Sequence, residues 1–220
     1  MFALRGRPAT PGIAQMVDDT RNEIYDRDYL PSRYQTQIDL PPGKYELQLL
    51  VGDGAKFGRA RIPLTINGND GTQLAMSSIA LSRRFADSSV AAQESAASNV
   101  GAGYIPMASN GVQVTPSAEM SFDRKEPLLA YFEIYDPLLT QRPAPAVQVD
   151  TRLVNAETGE IKAEVKSDTV DFQQPGGSTI SILKRLSLTH LEKSEYRLEV
   201  QATDSAGHST PWRKVEFTLK

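Results

Sequence analysis

A ten-residue stretch, Lys44-Tyr45-Glu46-Leu47-Gln48-Leu49-Leu50-Val51-Gly52-Asp53, returns 151 positions later as Glu195-Tyr196-Arg197-Leu198-Glu199-Val200-Gln201-Ala202-Thr203-Asp204. The tyrosine, three alternate apolar positions and the terminal aspartate all coincide. Glu, Gln and Arg fall on one side of the alternation and Leu, Val and Ala on the other, the period-two pattern of a strand with one wet and one buried face. Each copy is followed by turn residues and a second alternating run, Ala60-Ile62-Leu64-Ile66 in the first and Val215-Phe217-Leu219 in the second. Each therefore reads as the closing hairpin of a β-domain.

The chain has 220 residues, room for one large or two ordinary domains, and a repeat spaced so widely favours two. The first copy ends near Ile66, too early for a sandwich of about seven strands and about 100 residues. Residues 1–72 are therefore expected to be the last strands of a domain that begins upstream of Met1. Residues 73–220 are expected to form a complete second sandwich.

Charge is nearly balanced, 24 Lys and Arg against 27 Asp and Glu, which gives no basic field to attract nucleic acid or an anionic membrane. Without cysteine, disulfides, zinc–thiolate sites and thiol nucleophiles are excluded. No apolar run approaches the roughly 20 residues of a membrane span, and Met1-Phe2-Ala3-Leu4-Arg5-Gly6-Arg7-Pro8 lacks the apolar stretch of a signal peptide.

Residues 1–33 are rich in mixed charge and breakers, and weak or irregular structure is expected there. Tyr34-Thr36-Ile38-Leu40 alternates as a strand, Pro41-Pro42-Gly43 reads as a turn, and Gly52-Asp53-Gly54 leads into Phe57–Ile66, together a three-stranded meander. Asn67-Gly68-Asn69-Asp70-Gly71 marks a boundary, and Leu74–Leu81 opens the second unit. In 86–103, ten of eighteen residues are Ala or Ser, too little apolar bulk to offset ordering entropy. That segment is expected to be a mobile insert, with a marginal helix at Val90–Ala97 as the alternative. Gly111–Val114 is a short strand, and Leu128–Tyr135, the most apolar run, is placed centrally. Val147–Leu153 and Ile161–Val165 flank Asn155-Ala156-Glu157-Thr158-Gly159, a hairpin with glycine at its left-handed position. Ile180–Ile182 and Leu186–Leu188 precede the closing pair. Seven or eight strands at short spacing argue an all-β, antiparallel β-sandwich.

In immunoglobulin-like sandwiches a tyrosine near the start of the sixth strand buries its ring at a corner and bonds its hydroxyl to upstream backbone. Tyr45 and Tyr196 occupy that place. An antibody-type domain would carry cysteine two residues on and a core tryptophan on the third strand. Leu47 and Leu198 fill the first slot here, and the single tryptophan, Trp212, precedes the last strand. The expected architecture is therefore immunoglobulin-like or fibronectin III-like without the antibody hallmarks.

The stretches Leu40-Pro41-Pro42-Gly43-Lys44-Tyr45-Glu46-Leu47, Asp53, Leu74-Ala75-Met76-Ser77-Ser78-Ile79-Ala80-Leu81 and Tyr131-Phe132-Glu133-Ile134-Tyr135-Asp136 resemble the carboxy-terminal region of von Willebrand factor A-related proteins of Acidobacteria. Similar stretches occur in β-sandwich regions of GWxTD-domain proteins. The resemblance spans roughly residues 34–220. It implies an exported, extracytoplasmic chain with β-sandwich modules behind a von Willebrand A domain. The Asp-x-Ser-x-Ser metal site of that domain is not found in this sequence.

Several residue sets could carry chemistry. Asp53 and Asp204 end matching strands and could bind calcium between domains, but aspartate also starts turns by accepting from its own downstream amides. Asp204, Ser205 and His208 contain the residue types of a serine hydrolase, crowded onto one loop without a Gly-x-Ser-x-Gly elbow. Glu133 with Asp136, or Glu157 with Glu160, could form a glycosidase pair, against the reading that strand carboxylates are solvated. Trp212, Tyr104 and Phe172 are candidates for stacking on a glycan, against packing of Trp212 over the end of the core. Lys184 and Arg185 form a basic pair expected to be solvated. The sequence thus predicts a scaffold or protein-interaction module without catalytic residues, metal or cofactor. Its partner would be another protein or a neighbouring domain, not nucleic acid or a membrane interior, with a glycan as the alternative.

Overall fold

The structure, a computed structural model, describes residues 3–5, 37–52, 57–68, 71–87, 107–141, 146–170 and 178–220. These residues form an all-β fold whose sheets are antiparallel apart from two short parallel pairs. The chain divides into two compact units, Met1–Asn69 and Asp70–Lys220.

The first unit contains β1 (Ala3–Arg5), β2 (Gln37–Asp39), β3 (Gly43–Gly52) and β4 (Phe57–Ile66). β3 and β4 form an antiparallel hairpin in unbroken register from Gly43↔Ile66 to Gly52↔Phe57. Along 44–49 exposed and half-buried positions alternate, as the polar and apolar residues do. The expected meander is not formed: β2 pairs in parallel with β1 and not with β3. Pro41 and Pro42 separate β2 from β3. The Pro41 carbonyl is taken by the Tyr45 hydroxyl at 2.8 Å.

The second unit contains β5 (Ala75–Met76), β6 (Ala80–Ser82), β7 (Arg84–Asp87), β8 (Ala108–Ser109), β9 (Val112–Thr115), β10 (Ser121–Phe122), β11 (Leu128–Tyr135), β12 (Val147–Asn155), β13 (Ile161–Val170), β14 (Thr179–Leu186), β15 (Ser194–Thr203) and β16 (Arg213–Leu219). This exceeds the seven or eight strands expected, because several pieces are too short to show a period. One sheet runs β10-β16-β15-β12-β13, a second runs β14-β11-β5 with β6 also on β11, and a third runs β7-β9-β8.

The first two sheets share one core. Leu128, Ala130, Phe132 and Ile134 of β11 and Ile180 and Ile182 of β14 cluster with Val147 and Val149 of β12, Leu198 and Val200 of β15, and Phe217 of β16. Phe217 lies 5.9 Å from both Phe122, edge-on, and Tyr196, stacked. Both are favourable ring geometries. β11 is central in its sheet, and Leu129, Tyr131 and Glu133 on its other side are buried as well. The third sheet is tied to this one by Ser109 of β8, whose hydroxyl donates to the Ser181 carbonyl of β14 at 2.6 Å.

Two polar ties join the sheets that share the core. Arg213, on the inward side of β16, donates from Nε (3.1 Å) and Nη2 (2.9 Å) to the Met76 carbonyl of β5. Lys184 of β14 pairs with Asp168 of β13.

Other local expectations are revised. Leu74–Leu81 splits into β5 and β6 at Ser77, whose amide still donates to the Glu133 carbonyl while its hydroxyl, in place of its carbonyl, receives the Glu133 amide, each at 2.9 Å. Ile180–Ile182 and Leu186 belong to one strand, β14, with Lys184 and Arg185 on it, and only buried Leu188 lies beyond its end. Ala86 and Asp87 of the supposed insert belong to β7, and the rest of 88–103, with the alternative helix, lies outside the described residues. The 155–159 hairpin forms as the sequence indicates. Asn155 Oδ1 accepts from the amides of Glu157 (3.0 Å) and Thr158 (2.9 Å), and Gly159 takes φ +73°.

Candidate functional site

The buried carboxylates of the second unit, Glu133, Asp136, Glu199 and Asp204, lie in three places. The first is the outward face of β15. Glu199 alternates with the inward residues Leu198 and Val200, yet it is only 1% exposed. Register puts Arg152 of β12 and Lys214 of β16 directly across from it. Its carboxylate pairs with Arg152, with Arg197 Nε at 2.6 Å and with Lys214 Nζ at 3.5 Å. Burial opposes the charge, but the hydrogen bonds from Arg197 and Arg152 and the nearby cations outweigh it and hold Glu199 below the usual carboxylate range. The Arg152 guanidinium also sits 4.1 Å over the Trp212 ring, a cation–π contact.

Trp212 is therefore half-buried under an arginine on an outward face and does not cover the end of the core. Its covered face is closed to a sugar ring. Tyr104 and Phe172, the other two aromatic candidates, lie outside the described residues, as does Asp53.

The second place is the end of the unit where β11 and β15 finish. Asp204 is buried, and its Oδ1 accepts from the amides of Ala206 and His208, both at 2.8 Å. Its Oδ2 meets His208 Nδ1 at 2.8 Å. Burial opposes ionisation, but the His208 ring and these amides prevail and lower its pKa. This is the turn-starting role of aspartate, with an imidazole added. Asp136 lies close enough to feel both groups. Its Oδ1 accepts from Leu138 N at 2.8 Å, whereas its buried Oδ2 has no hydrogen-bond partner. Burial, with the Asp204 charge adding to it, raises the Asp136 pKa.

Asp204 and His208 thus reproduce the orienter–base half of a hydrolytic triad. Ser205 is exposed, and Ser209 is held by Thr203 at 2.9 Å. Among the described residues neither serine is hydrogen-bonded to the imidazole.

The third place is β11 itself. Tyr131, Glu133 and Tyr135 share one side, and both tyrosine hydroxyls donate to the glutamate, Tyr131 to Oε1 at 2.7 Å and Tyr135 to Oε2 at 2.6 Å. Glu133 and Asp136 are both buried, contrary to the reading of strand carboxylates as solvated. Glu133 lies within β11 and is bound by the two tyrosines, whereas Asp136 lies past its end and caps a short 3-10 turn, Pro137–Thr140. Glu157 and Glu160 are exposed on the hairpin, and Glu160 pairs with Lys162 at 2.5 Å. Lys184 is only 18% exposed because it pairs with Asp168, whereas Arg185 is exposed as expected.

Tyr45 and Tyr196 share one geometry. Tyr196 Oη donates to the Glu192 carbonyl at 2.9 Å and Tyr45 Oη to the Pro41 carbonyl at 2.8 Å, each four residues upstream. The Tyr196 ring is 1% exposed, while that of Tyr45 is half-buried.

The sequence hid the Glu199 cluster because Arg152 becomes its neighbour only through register. The Tyr-x-Glu-x-Tyr spacing of β11 was a readable signal, since i, i+2 and i+4 share a strand face.

Among the described residues no group of three or more His, Asp or Glu side chains is placed to hold a metal ion, and no helix is long and apolar enough to cross a membrane. An open hollow of about 260 Å³ lies between Arg124, Lys125, Arg185 and Leu188, below the roughly 300–1,000 Å³ of small-molecule pockets. Comparison with protein-family models and with curated proteins returned no match.

Proposed function

We propose that this chain is a non-catalytic scaffold or protein-interaction module, its larger unit an immunoglobulin-like β-sandwich, belonging to an exported or envelope-associated bacterial protein. The observation that carries the reading is the way buried charge is used. The carboxylates of Glu133, Glu199 and Asp204 are bound by tyrosines, by arginines and by a turn with its histidine. Enzymes keep such groups aimed at a cleft that admits substrate.

The immunoglobulin-like assignment draws on two sheets around one core and on the tyrosine hydrogen bond at the start of the penultimate strand. Export draws on the motif resemblance to von Willebrand factor A-related chains. A glycan-binding role is weakened by Arg152 lying over Trp212.

The test is turnover by the full chain on panels of aryl esters and aryl glycosides, with titration of soluble oligosaccharides monitored by tryptophan emission. Rates equal to those of buffer and an unchanged emission are expected. Hydrolysis abolished by His208→Ala, or saturable quenching by a sugar, would overturn the reading.

A further inference from the structure

β13 is the terminal strand of the five-stranded sheet, and from Ile161 to Thr169 every residue is exposed. Ile161 and Val165 are 47% and 52% exposed, on the side of the strand that would face a core. Glu160, Lys162, Glu164 and Lys166 occupy the other side, with Lys162 bonded to Glu160 and Lys166 to Glu164 at 3.2 Å. Long, exposed, partly apolar edges are ready templates for another strand.

The residues on this edge are complementary to themselves when the strand is reversed. In an antiparallel pairing about a two-fold axis at Ala163, Glu160 meets Lys166, Ile161 meets Val165 and Lys162 meets Glu164 of the other copy. Directly opposed ion pairs and β-branched pairs are the contacts that stabilise such a ladder. Sliding the register two residues one way sets Lys162 against itself, and two residues the other way sets it against Lys166. Parallel in-register stacking would set every charge against its own kind. The strand also limits the pairing. Ser167 takes φ +54°, its amide is held by Asp150 at 2.7 Å, and Asp168 is held by Lys184, so the regular stretch ends at Lys166.

We propose that the β13 edge, Glu160–Lys166, is a docking surface for a second copy of this chain, joining two five-stranded sheets through an antiparallel, two-fold contact. The inference rests on the interaction-module reading and names its partner. A strip of seven residues a side belongs to the small, weak and transient class of interfaces.

Sedimentation velocity of the full chain from about 10 µM to about 1 mM should show the mass rising by mass action from 24.1 kDa toward twice that value. Lys162→Glu and Glu164→Lys should each remain single chains, because each places like charges opposite one another twice per dimer. An equimolar mixture of the two should associate, since each variant then supplies the charge the other lacks. Thermal melts confirm that the variants fold, and hydrogen exchange of the wild-type β13 amides at low and high concentration gives a readout independent of any substitution. The proposal is overturned by a single-chain mass at every concentration, by association unaffected in Lys162→Glu, by a mixture that stays dissociated, or by exchange at β13 that ignores concentration. None of these outcomes touches the non-catalytic reading, whose failure appears as turnover or sugar binding.

Discussion

Tyr196 and Glu192 are joined by a hydrogen bond from phenol to main-chain carbonyl that spans four residues at 2.9 Å, and the bond recurs between Tyr45 and Pro41. Tyr196 is buried and packs on Phe217, whereas Tyr45 keeps its bond in a solvent-exposed setting. Tyr196→Phe should therefore cost about 1 kcal/mol, the net value of one buried hydrogen bond. Tyr45→Phe should cost less than half as much. Denaturant midpoints of the two variants, compared with wild type, check the ranking.

Glu199 is the carboxylate shared by Arg152, Arg197 and Lys214 on the outer face of its sheet. Glu199→Gln leaves those cations without their shared carboxylate and should destabilise the second unit by about 2–4 kcal/mol, somewhat less than the roughly 3–5 kcal/mol for breaking a fully buried pair because the three cations are partly exposed. Because its pKa is lowered in the fold, the contribution is fully present above the ordinary glutamate value near pH 4.3 and disappears as pH falls through the lower folded value. The wild-type advantage over Glu199→Gln should accordingly be constant from pH 6 to 8 and shrink below about pH 4. Trp212 is the single tryptophan and lies under Arg152, so its emission follows the same transition.

Asp136 has the opposite sign. Its raised pKa means that the fold favours the protonated acid, a preference fully present below the ordinary aspartate value of about 3.9 and lost as pH rises through the raised value. Asp136→Asn keeps an oxygen for the Leu138 amide and supplies a neutral group beside Asp204. It should raise the melting temperature at pH 8 by about 2–4 °C, the equivalent of about 1 kcal/mol for a chain of this size. The difference from wild type should vanish near pH 3, as calorimetry at the two pH values would show.

Phe132 points into the shared core with no exposed surface. Phe132→Ala should cost about 3–5 kcal/mol, the transfer term together with an unfilled cavity. Urea unfolding followed by circular dichroism measures it.

What the sequence revealed was local. The alternation of Tyr45 to Val51 and of Tyr196 to Ala202, the apolar run Leu128–Tyr135 and the glycine at 159 are each decided within a few residues, where side-chain period and turn chemistry act. What it hid depends on pairing at long range. Gln37–Asp39 joins Ala3–Arg5 across more than thirty residues, and Arg152 becomes the neighbour of Glu199 only after register is set. The meander gave way to the pairing of β2 with β1, and the solvated reading of Glu133 to the hydroxyls of Tyr131 and Tyr135. Of the ligand candidates only Trp212 falls among the described residues, and its role there is to carry Arg152.

The bond from Arg213 to the Met76 carbonyl ties the last strand of the larger unit to its first. A tensile load applied through the two ends of that unit would reach this clasp before it reached the inner strands. The guanidinium would share that load with the β15–β16 ladder and the short β5–β11 pairing, so the two ends are fastened to each other as well as to their neighbours.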